Sequence, residues 1–180
     1  RIEEMLSEVD AIITTGGVSV GDYDLLPKIY EKLGAEVLFN KVAMRPGSVT
    51  TVSVLDGTFL FGLSGNPSAC YSGFELFVRP ALNLMQDAVR PFAPVVDAIL
   101  VEDFTKPNPF SRFIRAELFF EEGKIKARPS GFNKSNAVTS IAKSNGVIVL
   151  PGGTRGFTSG DAIKVMLTDV TTGTGTFGVE

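Results

Sequence analysis

The chain of 180 residues has no histidine, no tryptophan and a single cysteine, Cys70. One thiol excludes an internal disulfide, and without imidazole the usual Cys/His zinc sites are excluded as well. Ser-His-Asp and Cys-His catalysis within this chain go with them. A metal here has to be hard and oxygen-bound, magnesium for example, or arrive as part of a substrate. No apolar run nears the roughly 20 residues needed to cross a bilayer, and the first residues have the pattern of neither a signal nor a transit peptide. The expectation is a cytoplasmic protein with no membrane partner. Basic stripes are also missing: residues 1–87 carry 6 Lys/Arg against 11 Asp/Glu, and residues 88–180 carry 11 against 9. With few aromatics interleaved among the cations, that balance argues against a nucleic-acid partner.

What is present is a globular composition, 44% hydrophobic and 21% charged, in a length that suits one ordinary domain or two small ones. Ile2, Met5, Leu6 and Val9 recur at helical spacing, and "DAIITT" reads as a short strand buried along its whole length, as in a parallel sheet. A helix over residues 23–33 ends at Gly34, a strand covers "AEVLFNKVAM", and Asp56-Gly57 joins two further strands in a hairpin. A long helix over residues 67–86 follows, with Tyr71, Phe74, Val78 and Leu82 on its apolar face and Cys70 as a small core residue. Pro91 and Pro94 then mark a boundary, beyond which short strands alternate with turns such as Glu122-Gly123 and Pro151-Gly152-Gly153. The fold class is α/β for residues 1–88, a partial three-layer domain, followed by a small antiparallel all-β domain, barrel or sandwich, over residues 95–172. The tail "TTGTGTFGVE" is low in complexity and expected to fray.

Three loops stand where such a fold holds ligands, at strand ends that precede helices. In "TTGGVSVGDYD", Gly16, Gly17 and Gly21 let a backbone approach a bound group, and Ser19 adds a hydroxyl donor for an oxyanion. The spacing is neither the dinucleotide fingerprint nor a P-loop. Asp22 and Asp24 would repel a bare anion, which points to a divalent cation joining it. The same residues also suit a plain glycine-rich turn with Asp22 as a helix cap. In "NKVAMRPGS", Lys41 and Arg45 are four apart, an even spacing that on a strand puts both on one face, with Ser48 beyond the Pro46-Gly47 turn. A solvated pair at the end of an edge strand is the plainer reading of these residues alone. The third loop, "LSGNPSA", brings Gly65, Asn66, Pro67 and Ser68 to a helix start that offers backbone donors, though it is also a common helix entry. Arg112, Arg115 and Lys134 are possible further anion contacts, more cheaply explained as a solvated face.

In this order and spacing, these three motifs resemble the MoeA and gephyrin E-domain family of molybdopterin molybdenumtransferases. "SNGVIVLP" and "SGDAIKVML" resemble the small β-domain that closes those proteins. The resemblance implies insertion of molybdate into adenylylated molybdopterin with release of AMP, assisted by magnesium. It implies a small-molecule substrate and a homodimer in the full-length parent. Asp24 matches the family's acidic residue at the loop end, and Asp22 a position usually Asp or Glu; these two imply the metal site. Gly16, Gly17, Ser19 and Gly21 match the loop near the pterin phosphate. Lys41 matches a family lysine, Arg45 stands where a second lysine is frequent, and Gly65, Asn66 and Pro67 match P-G-N-P with Ser64 in place of its first proline. Asp24, Lys41 and Arg45 are thereby the implied catalytic residues.

Two departures accompany the likeness. Pro46-Gly47-Ser48-Val49 replaces the family's P-G-K-P, removing one cation, and the family's preceding "TGDE"-like loop, strand and further domains are not in this chain. The expectation is a C-terminal fragment, inactive in isolation. Two other readings stay open: a molybdopterin adenylyltransferase, whose similar loop continues differently and which lacks a β-domain, and a scaffold module with a vestigial pocket.

Overall fold

The computed structural model describes residues 2–17, 25–130 and 141–168. Two β-prone runs flank Asp56-Gly57 and form the centre of the first sheet: β4 (Thr51–Leu55) pairs antiparallel with β5 (Thr58–Leu63). Asp56 and Gly57 both take positive φ, 50° and 88°, which lets a two-residue turn follow the twist of its strands. β1 (Ala11–Thr15) lies parallel to β5 and β2 (Glu36–Phe39) antiparallel to β4, so the order is β1-β5-β4-β2. Alternation along β5 feeds both faces. Leu60 joins Ile12 and Tyr30 against α1 (Ile2–Met5) and α2 (Leu25–Lys32), while Phe61 and Leu63 join Val52 and Val78 under the helices of the opposite face. Three layers result.

β1 departs from the expectation of continuous burial. Ile12 is buried but Ile13 is 41% exposed, in keeping with the place of β1 at the sheet edge among the described residues. The helix expected over 67–86 is one continuous run with a π-turn in it: α3 (Pro67–Gly73), a π segment (Phe74–Val78) and α4 (Arg79–Met85). Cys70, Phe74, Val78 and Leu82 pack on the sheet as expected, but Tyr71 is not in that cluster.

The second sheet contains β6 (Val95–Leu100), β7 (Ser111–Glu121), β8 (Lys124–Pro129), β9 (Gly146–Leu150) and β10 (Ala162–Leu167). Its order β7-β8-β6-β10-β9 is closed by β7 pairing with β9, giving a five-stranded barrel around Leu100, Ile114, Ile148, Leu150 and Val165. It is not wholly antiparallel, since β6 and β8 run parallel.

A further correction falls on "AEVLFNKVAM". That segment is not one strand: β2 stops at Phe39, and a two-residue strand β3 (Met44–Arg45) leaves the first sheet to lie parallel along β7, with Met44 opposite Ser111 and Arg45 opposite Arg112. Residues of the first domain thus complete an edge of the barrel, and Met44 is buried at 2% exposure in doing so.

Candidate functional site

Strand directions bring the three loops together. β1 and β5 are parallel with Thr15 opposite Leu63, so both finish at the same rim; β4 runs the other way, with Thr51 opposite Gly62, and so begins there. The glycine loop, the "SGNP" turn and the "RPGS" turn therefore converge, the last through an antiparallel strand. The Gly16 amide donates to the Leu63 carbonyl at 2.9 Å. A Cβ on Gly65 would stand 3.3 Å from Gly16 Cα, and one on Gly47 would stand 2.8 Å from Met44 Cε and 3.2 Å from the Ala69 carbonyl oxygen. Gly16, Gly17 and Gly47 have φ of 87°, 72° and 92°, a region that costs other residues roughly 1 kcal/mol or more. Glycine is needed here for both reasons.

Asn66 organises the start of α3. Its side-chain oxygen accepts from the Ser68 and Ala69 amides at 3.0 and 3.4 Å, its own amide donates to Ser64 Oγ at 3.2 Å, and Pro67 follows at the first helical position. A cap of this kind occupies donors that the sequence left available for a ligand. The Gly17 and Gly65 amides are among those at this rim that donate no backbone hydrogen bond within the described residues. Ser68 is buried at 4% exposure, while Gly65 and Pro67 are exposed. Ser48 is half-buried, and its carbonyl accepts from the Val42 amide at 2.9 Å, closing the loop that carries the cations.

Lys41 and Arg45 do not share a strand face, because β2 ends between the first sheet and the loop that holds them. Both are exposed. Arg45 is nevertheless placed: its guanidinium carbon lies 5.3 Å from the centroid of the Phe110 ring. Its neighbour across β3 and β7, Arg112, lies 5.1 Å from the Phe104 ring. Arg115 is not the solvated residue expected from sequence. It is 2% exposed, burial pulls its guanidinium below the ordinary value, and the nearby Tyr71 of α3 opposes that shift. Tyr71 thus faces the barrel. Cys70 is half-buried, and burial pushes its thiol up, away from the reactive thiolate form.

Ser19, Gly21, Asp22, Asp24 and Lys134 lie outside the described residues. Among the described ones, no group of three or more His, Cys, Asp or Glu could hold a metal ion. An open groove of about 490 Å³ lies under α4, lined among others by Phe39, Phe59, Phe61, Phe77 and Phe92. All of its lining residues are apolar, so it offers an oxyanion nothing. No described helix is long and apolar enough to cross a membrane.

Sequence reasoning missed Phe110 altogether. An aromatic two positions before an arginine at a strand start carries no signal by itself; its meaning comes from β3, which is 65 residues away in sequence and was not separable from β2.

Known proteins resemble this chain in sequence and fold. Residues 1–84 match the family model of a probable molybdopterin binding domain, and residues 97–168 that of the MoeA C-terminal region (domain IV). The chain is 58% identical over 166 residues to the molybdopterin molybdenumtransferase of Bacillus subtilis (strain 168), an overlap of 92% of this chain and 39% of that protein. The Staphylococcus aureus (strain COL) protein of the same name is 57% identical over 168 residues, 93% of this chain and 40% of that one. The crystal structure of a molybdopterin biosynthesis MoeA protein from Pyrococcus horikosii matches with a TM-score of 0.72 at 27% identity, covering 92% of this chain and 39% of that one. The chain spans about two fifths of the length of these relatives.

Proposed function

The chain belongs to the MoeA family, and from that premise we propose that it serves molybdenum cofactor biosynthesis as a molybdopterin molybdenumtransferase. Adenylylated molybdopterin and molybdate are its substrates; molybdenum passes to the pterin dithiolene and AMP leaves. The observation that carries this reading is the meeting of three loops at one rim, held by the Gly16–Leu63 hydrogen bond and the Gly65–Gly16 and Gly47–Ala69 approaches. The amides of Gly17 and Gly65 donate to phosphate oxygens, with hydroxyl help from Ser19 and Ser48, while the buried Ser68 lines the helix start behind them. Gly16, Gly21, Asn66 and Pro67 shape the walls. Lys41 and Arg45 neutralise charge that develops as the phosphoanhydride opens, which is worth most where water is excluded. The substrate's own sulfurs take the metal, so no protein nucleophile is required.

Magnesium belongs to the proposal as the ion that Asp22 and Asp24, both outside the described residues, would hold beside the substrate phosphate. We take residues 1–88 and 95–172 as the two domains and the working form as a cytoplasmic homodimer. The single cysteine fits a reducing compartment, and the open edge of β1 fits a chain that meets further protein. The barrel favours this reading over the adenylylating class, which the sequence resemblance gives no β-domain.

Calorimetric titration of the chain with adenylylated molybdopterin tests the proposal. A saturable heat that weakens at least tenfold in Lys41→Ala/Arg45→Ala is expected, with AMP appearing when molybdate is added to the parent protein. No saturable heat overturns it and leaves the scaffold reading.

A further inference from the structure

Arg45 belongs to the first domain, yet among the described residues the ring that its guanidinium meets lies outside that domain. Orientation comes from the barrel. β3 pairs with β7 so that Arg45 lies opposite Arg112, and residues paired in a parallel ladder stand on the same face of the sheet. Phe110 stands immediately before β7, and its ring meets the Arg45 guanidinium. Two guanidinium groups side by side repel each other. Each is resolved onto a different ring: Arg112 over Phe104 at 5.1 Å, Arg45 over Phe110 at 5.3 Å. Neither has a salt bridge among the described residues, so the ring face is the defined partner of each. Phe110 is itself held in place. A Cβ on Gly152 would stand 3.0 Å from the Ser111 amide nitrogen and 3.1 Å from the Phe110 carbonyl carbon, so the Pro151-Gly152-Gly153 turn packs directly on its backbone. The ring stays 39% exposed, leaving a face open for the cation.

We propose that Phe110 is a positioning residue: it holds the Arg45 guanidinium in one orientation at the rim, and so couples the barrel to the anion-binding loops. It acts through Arg45 and need not touch the substrate. The arrangement also explains why arginine serves at position 45. A planar guanidinium stacks on a ring and still presents its edge N–H groups to an oxyanion, which an ammonium cannot do in the same way. The ligand side of this inference rests on the proposed function; the side-chain geometry does not.

The test has two arms, both on the whole chain. In the first, the Arg45 Nε–Hε resonance is followed by NMR. A ring-current-shifted signal in the wild type is expected to move to the solvent-exposed position in Phe110→Leu and to stay shifted in Phe110→Tyr. In the second, adenylylated molybdopterin is titrated calorimetrically. Phe110→Leu is expected to weaken binding about two- to fivefold, the range of an exposed cation–π contact. Phe110→Tyr should restore it, and Arg45→Lys/Phe110→Leu should bind no worse than Arg45→Lys alone. An unshifted Arg45 signal in the wild type, or wild-type affinity in Phe110→Leu, overturns the proposal. Absent heat in the wild type with a shifted Arg45 signal overturns the functional reading and leaves the positioning intact.

Discussion

Gly65 and Gly16 touch across the rim: a side chain begun on Gly65 would stand 3.3 Å from Gly16 Cα and 3.7 Å from its amide nitrogen. Both neighbours are backbone and cannot swing aside. Gly65→Ala is therefore expected to spread the two loops by a few tenths of an ångström, costing about 1 kcal/mol by overpacking, and to weaken nucleotide binding more than it weakens the fold. Urea unfolding and calorimetry measure the two separately. Unchanged affinity would show that this contact does not set the rim spacing.

Asn66 supports two predictions of opposite kind. Asn66→Ala removes the acceptor of the Ser68 and Ala69 amides and should cost about 1 kcal/mol in urea unfolding. Asn66→Asp keeps the cap and adds a negative charge at the rim, so stability should hold while oxyanion affinity drops. If both variants lose affinity equally, the effect of Asn66 is structural alone.

The pair Glu75–Arg79 is asymmetric. Glu75 is 4% exposed and receives two hydrogen bonds of 2.8 Å from Arg79, whose side chain is 40% exposed. Removing the acid lets the arginine return to water, whereas Arg79→Ala strands a buried carboxylate and should cost about 2 kcal/mol. Glu75→Gln should cost less. Chemical denaturation that finds Glu75→Gln the worse variant would refute the assignment of the penalty to Glu75.

Alkaline stability follows from one buried and one half-buried group. Burial raises the Tyr30 hydroxyl above its ordinary value of 10.0, partly opposed by its hydrogen bond to Thr14, and burial raises the Cys70 thiol above 9.0. Both groups hold their protons longer in the folded state than in the unfolded one. Their contribution is complete below about pH 9 and is lost as pH climbs through the folded values. Urea midpoints should stay level from pH 7 to 9 and fall beyond, less steeply above pH 10 in Tyr30→Phe. An identical slope in that variant would remove Tyr30 from the account.

Local chemistry made several features legible from sequence. The Asp56-Gly57 and Glu122-Gly123 hairpins, the Gly34 helix end and the Pro67 helix start depend on φ preferences and missing donors within a few residues, and they stand where their residue types put them. The division into an α/β half and a β half was equally readable from hydrophobic periodicity, as was the resemblance carried by the three motifs. "NKVAMRPGS" was misread for a definite reason. It continues the β-prone run "AEVLF", but whether a strand continues or breaks depends on which sheet supplies its hydrogen-bond partners. Here β7, more than 60 residues later, takes Met44 and Arg45.

By itself, then, the sequence determined the turns, the periodic faces and the kinds of group available to a ligand, because each depends on covalent geometry and near neighbours. Only the tertiary structure decided which of those groups meet. Parallel β1 and β5 with antiparallel β4 bring three loops to one rim, the Asn66 cap consumes amides that looked free, Arg115 is buried, and Arg45 rests on Phe110. Such pairings are set by sheet order and domain docking, long-range contacts that gain their free energy from burial and backbone pairing and leave no mark on either segment alone.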